Sequence, residues 1–124
     1  MQNNIKTIPF KWAHGEEMVS LEVSRYNNNR LYVGMMSYTS GYPELFADIT
    51  VNIPQYQLET NEAFVNSDLS DDIINFLIKN ELGELTPYTI QSGYNIYYIV
   101  AFDLDKLAEF DPEGIAEFKG VHCI

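Results

Sequence analysis

Met18 to Tyr26 alternates Val19, Leu21 and Val23 with Ser20, Glu22 and Ser24, which is the period of a half-buried strand. Asn27-Asn28-Asn29-Arg30 then suits a hairpin loop, because Asn tolerates positive φ, and it leads into a second strand, Leu31 to Tyr38. Ser40-Gly41-Tyr42-Pro43 repeats the turn chemistry. Glu44 to Ile53 alternates again, with Leu45, Ala47, Ile49, Val51 and Ile53 expected inward. These three strands form a meander. Pro54 ends the last by removing a ladder donor, and the polar stretch to Asn66 reads as loop with a short strand at Ala63-Phe64-Val65.

Ser70, Asp71 and Asp72 then precede the spaced apolar set Ile73, Ile74, Phe76, Leu77 and Ile78. A hydroxyl N-cap and first-turn acids suit a helix from about Asp71 to Glu81, with Gly83 as its C-terminal cap. A second hairpin follows Pro87, with Tyr88 to Gln91 turning at Ser92-Gly93 into the β-prone run Tyr94 to Phe102. Leu104 to Phe110 and Pro112 to Phe118 read as short helices, separated at Asp111-Pro112, before a frayed or edge-paired tail. The expected fold class is α+β: a mostly antiparallel sheet, built from the N-terminal meander and the later hairpin, with one main helix and short C-terminal helical turns. With 124 residues and no linker or repeat, the chain is read as one domain spanning 1–124.

Charge changes this picture most. Met1 to Glu62 carries four Lys/Arg against seven Asp/Glu and Ala63 to Ile124 three against eleven, so eight of the eleven net negative charges lie in the second half. Such a surface repels nucleic-acid phosphates and anionic headgroups and draws basic surfaces toward it. Direct nucleic-acid binding and membrane association are therefore not expected. The N-terminal MQNNIKTIPF lacks an apolar signal core, no run is long enough to span a membrane, and the lone Cys123 cannot form an internal disulfide. These features favour a reducing cytoplasm.

The search for catalytic chemistry is negative. His14 sits before the first strand and His122 beside Cys123, and neither reads as a buried general base; His122-Cys123 is taken as an exposed tail pair. No phosphate loop, metal-ligand spacing or cofactor signature is present, so no enzyme activity, metal or cofactor is expected. The candidate surface is instead the acidic set Asp68, Asp71, Asp72, Glu81 and Glu84 around the helix, with Asp103, Asp105, Glu109, Asp111, Glu113 and Glu117 toward the C-terminus. Carboxylates spaced like phosphates can enter a basic groove made for nucleic acid and use its Arg and Lys contacts. A plainer reading gives these acids only a solubilising role.

The order Ile49-Thr50-Val51-Asn52-Ile53-Pro54, then Asn61-Glu62-Ala63-Phe64-Val65-Asn66, then the helix and Ser92-Gly93-Tyr94 resembles an uncharacterised family of small acidic proteins. Its members are carried on prophages, plasmids and conjugative elements of Firmicutes and Bacteroidetes and share a domain of unknown function. The resemblance covers roughly Glu22 to Leu107 and implies no catalytic residues. It implies a setting in which accessory proteins often inhibit host defence, as anti-CRISPR and antirestriction proteins do. The expectation is a non-enzymatic inhibitor that engages a basic nucleic-acid-handling host protein, such as a CRISPR effector or restriction enzyme. The alternative is a protein that sequesters a nucleotide signal through Arg25, Arg30 and Tyr94, and self-association into a homo-oligomer is compatible with either.

Overall fold

The expected meander exists and has one strand more. A computed structural model describes residues 6–38, 40–65 and 70–124, so Asp68 and the side chain of Ser70, the expected N-cap, lie outside the described residues. Strands β1 (Ile8–Trp12), β2 (Gly15–Arg25), β3 (Leu31–Ser37) and β4 (Glu44–Asp48) form one antiparallel sheet in that order. A second sheet has the order β5-β6-β8-β7, from β5 (Thr50–Val51), β6 (Glu62–Val65), β7 (Gly83–Ser92) and β8 (Asn95–Phe102). Helix α1 (Ser70–Lys79) joins β6 to β7, and α2 (Leu104–Ala108) and α3 (Pro112–His122) close the chain. The α+β class, the mostly antiparallel pairing and the later hairpin are as the sequence predicts.

Between the sheets and helices lies one main core. Phe10, Val19, Leu21, Val23, Leu31, Val33 and Met35 from the first sheet meet Ala63, Val65, Val100 and Phe102 from the second, with Ile73, Phe76 and Leu77 of α1 and Ile115 and Phe118 of α3. A smaller cluster of Ile53, Phe64 and Ile99 lies on the other face of the second sheet. Burial on both faces explains why β6 reads as a continuous apolar run rather than an alternation.

The expected strand from Glu44 to Ile53 is two strands, because the chain changes sheets at Ile49. The Ile49 amide still donates to Val33 O at 3.0 Å, but Thr50 pairs with Val65 in the second sheet. Within β4, Met35 and Met36 face Ala47 and Leu45, so Phe46 is an extra, bulged residue. The bulge turns Leu45 outward (56% exposed) and brings Phe46 onto the main core, while Ala47 and Ile49 keep their expected inward positions.

The α1 helix ends earlier than expected, and its cap is Glu81 (φ 59°) rather than Gly83. The Leu82 amide donates back to Leu77 O at 2.9 Å and the buried Leu82 side chain seals the end. Gly83 instead opens β7, where a Cβ would lie 2.9 Å from Ala101 O and from the Val100 side chain. Strand β7 therefore starts ahead of Tyr88 and carries Pro87 inside it, tolerated on an edge strand beside a register shift between Leu85 and Thr89. The C-terminal tail is helical to His122 rather than frayed. His122 is not an exposed tail residue: its ring packs 4.4 Å from that of Phe118 and its Nε2 lies 2.6 Å from Asn29 O.

One polar pair on the first sheet carries a pH prediction. Tyr32 lies across Gly34, where a Cβ would come 2.4 Å from the hydroxyl oxygen, and donates to Asp48 Oδ1 at 2.7 Å. Burial first, then the Asp48 hydrogen bond and charge, push the phenol well above its ordinary value. Burial also raises Tyr26, whose hydroxyl lies 3.1 Å from the Thr50 carbonyl oxygen. A raised folded-state pKa means that the stabilising contribution is fully present below about pH 10 and is lost as pH rises through the folded value. Ultraviolet titration should therefore show delayed tyrosine ionisation, and Asp48→Asn should bring one phenol forward; an unshifted Asp48→Asn curve contradicts the coupling.

Candidate functional site

Most of the candidate acids described are exposed, and they fall into three groups. In the first, Glu81 follows α1, Glu84 enters β7, and Asp103 follows β8; the Glu84–Ala101 and Gly83–Phe102 pairings bring these elements side by side. All three acids line one open cleft of about 620 Å3, together with Asn61, Ile78, Ala101 and Phe102. Asn61 was legible only as part of a family-like segment. Its Nδ2 donates to Phe102 O at 3.0 Å and its own carbonyl accepts from the Phe102 amide at 2.9 Å, which fixes the end of β8. Asp103 caps α2, accepting from the amides of Asp105 and Lys106 at 3.0 and 3.1 Å.

Asp71 and Asp72 form the second group, in the first turn of α1, where they complement the helix dipole. Seven residues of helix, Ile73 to Lys79, lie between this turn and the first group's end, roughly 11 Å at helical rise. Asp72 lines a different cleft, of about 300 Å3, together with Lys11, Phe76 and Lys79.

The third group, on α2 and α3, faces the first sheet. Lys6 reaches Glu109 at 2.5 Å and holds its carboxyl below the usual carboxylate range, and Arg25 reaches Glu117 at 3.5 Å. Lys106–Glu81 at 3.6 Å and Lys119–Asp105 at 3.3 Å are further pairs. The acids in these pairs keep much of their surface, 91% for the Asp105 side chain, so the pairs contribute little to stability and leave the oxygens accessible. Asp111 is different. Its Oδ1 accepts from the Gly114 amide and its Oδ2 from the Val23 amide, both at 2.9 Å, so it is a structural acid withdrawn from the expected surface. Asp71, Asp72, Glu84 and Glu113 have no ion-pair partner among the described residues.

The residues of the ligand alternative do not converge. Arg30 donates to the carbonyl oxygens of Ile53 (3.0 Å) and Tyr56, bracing the loop after β5. Arg25 is held by Asn29 and Glu117, and Tyr94 stands fully exposed at the tip of the β7–β8 hairpin. None of the three lines either of the clefts above. Among the described residues no group of three or more His, Cys, Asp or Glu could hold a metal ion, and no helix is long and apolar enough to cross a membrane.

No curated protein and no solved structure matches the chain significantly. Residues 20–121, from β2 to the last turn of α3, match one family, and by that match the chain belongs to the DUF4313 family, a domain of unknown function.

Proposed function

We propose that this protein is a non-enzymatic binder whose acidic surface engages a basic, nucleic-acid-binding host protein and blocks it. The observation that supports this best is the convergence of Glu81, Glu84 and Asp103 on one open cleft in a chain of net charge −11. Exposed carboxylates along a preformed cleft offer a cationic groove the same hydrogen-bond acceptors that phosphates would, without the chain itself binding nucleic acid. The partner class is a CRISPR effector or restriction enzyme of a bacterial cytoplasm, and the genetic setting is a prophage, plasmid or conjugative element. Within this reading Asp71, Asp72 and Glu113 extend the acidic field, while Glu81, Asp105, Glu109 and Glu117 contribute less because each already faces a cation.

The test is plasmid cleavage by a panel of purified CRISPR effectors and restriction enzymes with the protein in excess. Inhibition of at least one is expected, weakening as salt rises, and Glu81→Lys with Glu84→Lys should raise the inhibitory concentration about tenfold or more. Both positions are exposed, so the fold should survive. Cleavage unaffected in every case, or inhibition untouched by the charge reversal, counts against the proposal.

A further inference from the structure

From Leu85 to Phe102 the chain carries no Asp, Glu, Lys, Arg or His, although 20% of its residues are charged. This stretch is almost the whole β7–β8 hairpin, and part of it stands apart from the second sheet. Among the described residues β6 pairs with Tyr98 to Ala101 and no further, so Asn95–Tyr97 and their partners Ile90–Ser92 continue as a two-stranded ribbon. Ile90 and Tyr97 pack on the Ile53, Phe64 and Ile99 cluster, whereas Ile96 (57% exposed) and the fully exposed Tyr94 on the ribbon, and Tyr88 (68%) just before it, are open to solvent. A two-stranded ribbon is marginal alone, and exposed apolar and aromatic side chains of this kind mark contact surfaces.

The sheet edges differ in how well they are guarded against further pairing. Edge strands normally carry charges, prolines or bulges that block further pairing. Strand β1 has Pro9 and Lys11, β4 has Glu44, Asp48 and the Phe46 bulge, and β5 has two residues. Strand β7 is guarded in its first half by Glu84, Pro87 and the register shift, but from Thr89 to Ser92 it has none of these devices. We propose that this open half of β7 pairs antiparallel with the same strand of a second copy, forming a twofold dimer with a continuous sheet across the seam. A twofold axis sets the same patch against itself. Two chains of net charge −11 repel over most of their surface, and this uncharged edge lets them meet without opposing like charges. A cationic partner would find nothing on the ribbon to neutralise, so the second copy is the better match. Glu84 lies five positions before Thr89, roughly 16 Å at strand rise, so the acidic cleft stays outside the pairing.

Sedimentation equilibrium of the full chain, from about 1 to 300 μM, tests this. The expected mass rises from 14.3 kDa toward twice that value, with association several-fold tighter at about 500 mM than at 50 mM NaCl, because salt screens the repulsion between copies. Thr89→Lys with Gln91→Lys, both exposed, should hold the chain at monomer mass with unchanged circular dichroism and unfolding midpoint. A wild-type chain that stays monomeric at the highest concentration overturns the proposal, and so does a dimer that survives the two lysines. Salt strengthens this association and weakens acid-mediated partner binding, so the two proposals stand or fall separately.

Discussion

Replacing Phe10 by Ala is expected to lower the unfolding free energy by about 3–5 kcal/mol and the melting temperature by about 10 °C or more. Phe10 is fully buried, stacked on Trp12 (centroids 5.7 Å, planes 11° apart) and met edge-on by Phe46 at 6.0 Å and Phe76 at 5.4 Å. These rings belong to β1, β4 and α1, so one side chain joins an edge of the first sheet to the helix beneath it. Truncation leaves a cavity whose walls come from separate elements, and such walls relax poorly. Urea unfolding measures the cost, and Trp12, the sole tryptophan, reports the site by its emission. Phe10→Leu should cost less than half as much. A loss below about 1 kcal/mol for Phe10→Ala would show that the cluster closes over the gap.

The same cluster explains what the sequence hid. The strand over Met18 to Arg25 was legible because apolar and polar residue types alternate, with Val19, Leu21 and Val23 in the core and Glu22 and Ser24 exposed, although Ser20 is buried on the opposite face. Ile8–Trp12 has no such signal: five residues with a proline and a lysine become a strand because Phe10 has a core to enter and β2 offers an edge. The break at Ile49 was equally invisible, since a strand that leaves one sheet for another keeps its β-prone composition. Phe46 took the inward position by a bulge, and bulges shift phase without altering residue type. At the end of α1, Gly83 is the conventional cap, yet close backbone approach to Ala101 claimed it for the strand and left the positive φ to Glu81.

Reading acids from a sequence supplies their number and local address but not their neighbours. Glu109 is paired with Lys6 and Glu117 with Arg25, contacts spanning most of the chain, and neither can be anticipated from spacing. The convergence of Glu81, Glu84 and Asp103 arises because the α1–β7 and β8–α2 junctions lie side by side at the root of the hairpin. Conversely, the uncharged stretch after Glu84 was legible all along, and only the strand order shows that its part from Thr89 to Ser92 lies on an unguarded edge. One molecule thus separates its chemistry: acids gather at the hairpin's root, and uncharged aromatics occupy its arm.

Asp111→Ala is expected to cost about 2–4 kcal/mol, far more than a typical surface acid. Strand β1 pairs with β2 as far as Val19, beyond which the outer edge of β2 has no strand partner among the described residues, and there Asp111 takes the Val23 amide while capping α3 through Gly114. Removing the carboxylate loses a helix cap and leaves the part-buried Val23 amide unpaired. Asp111→Asn keeps one accepting oxygen and should lose about half as much. Gly114 is part of the same device: a Cβ there would lie 2.4 Å from Val23 O and 2.5 Å from Asp111 Oδ2, so Gly114→Ala must push α3 off β2. The two substitutions break one junction, so their costs in denaturant should combine to clearly less than their sum. Full additivity would mean that cap and close approach are independent.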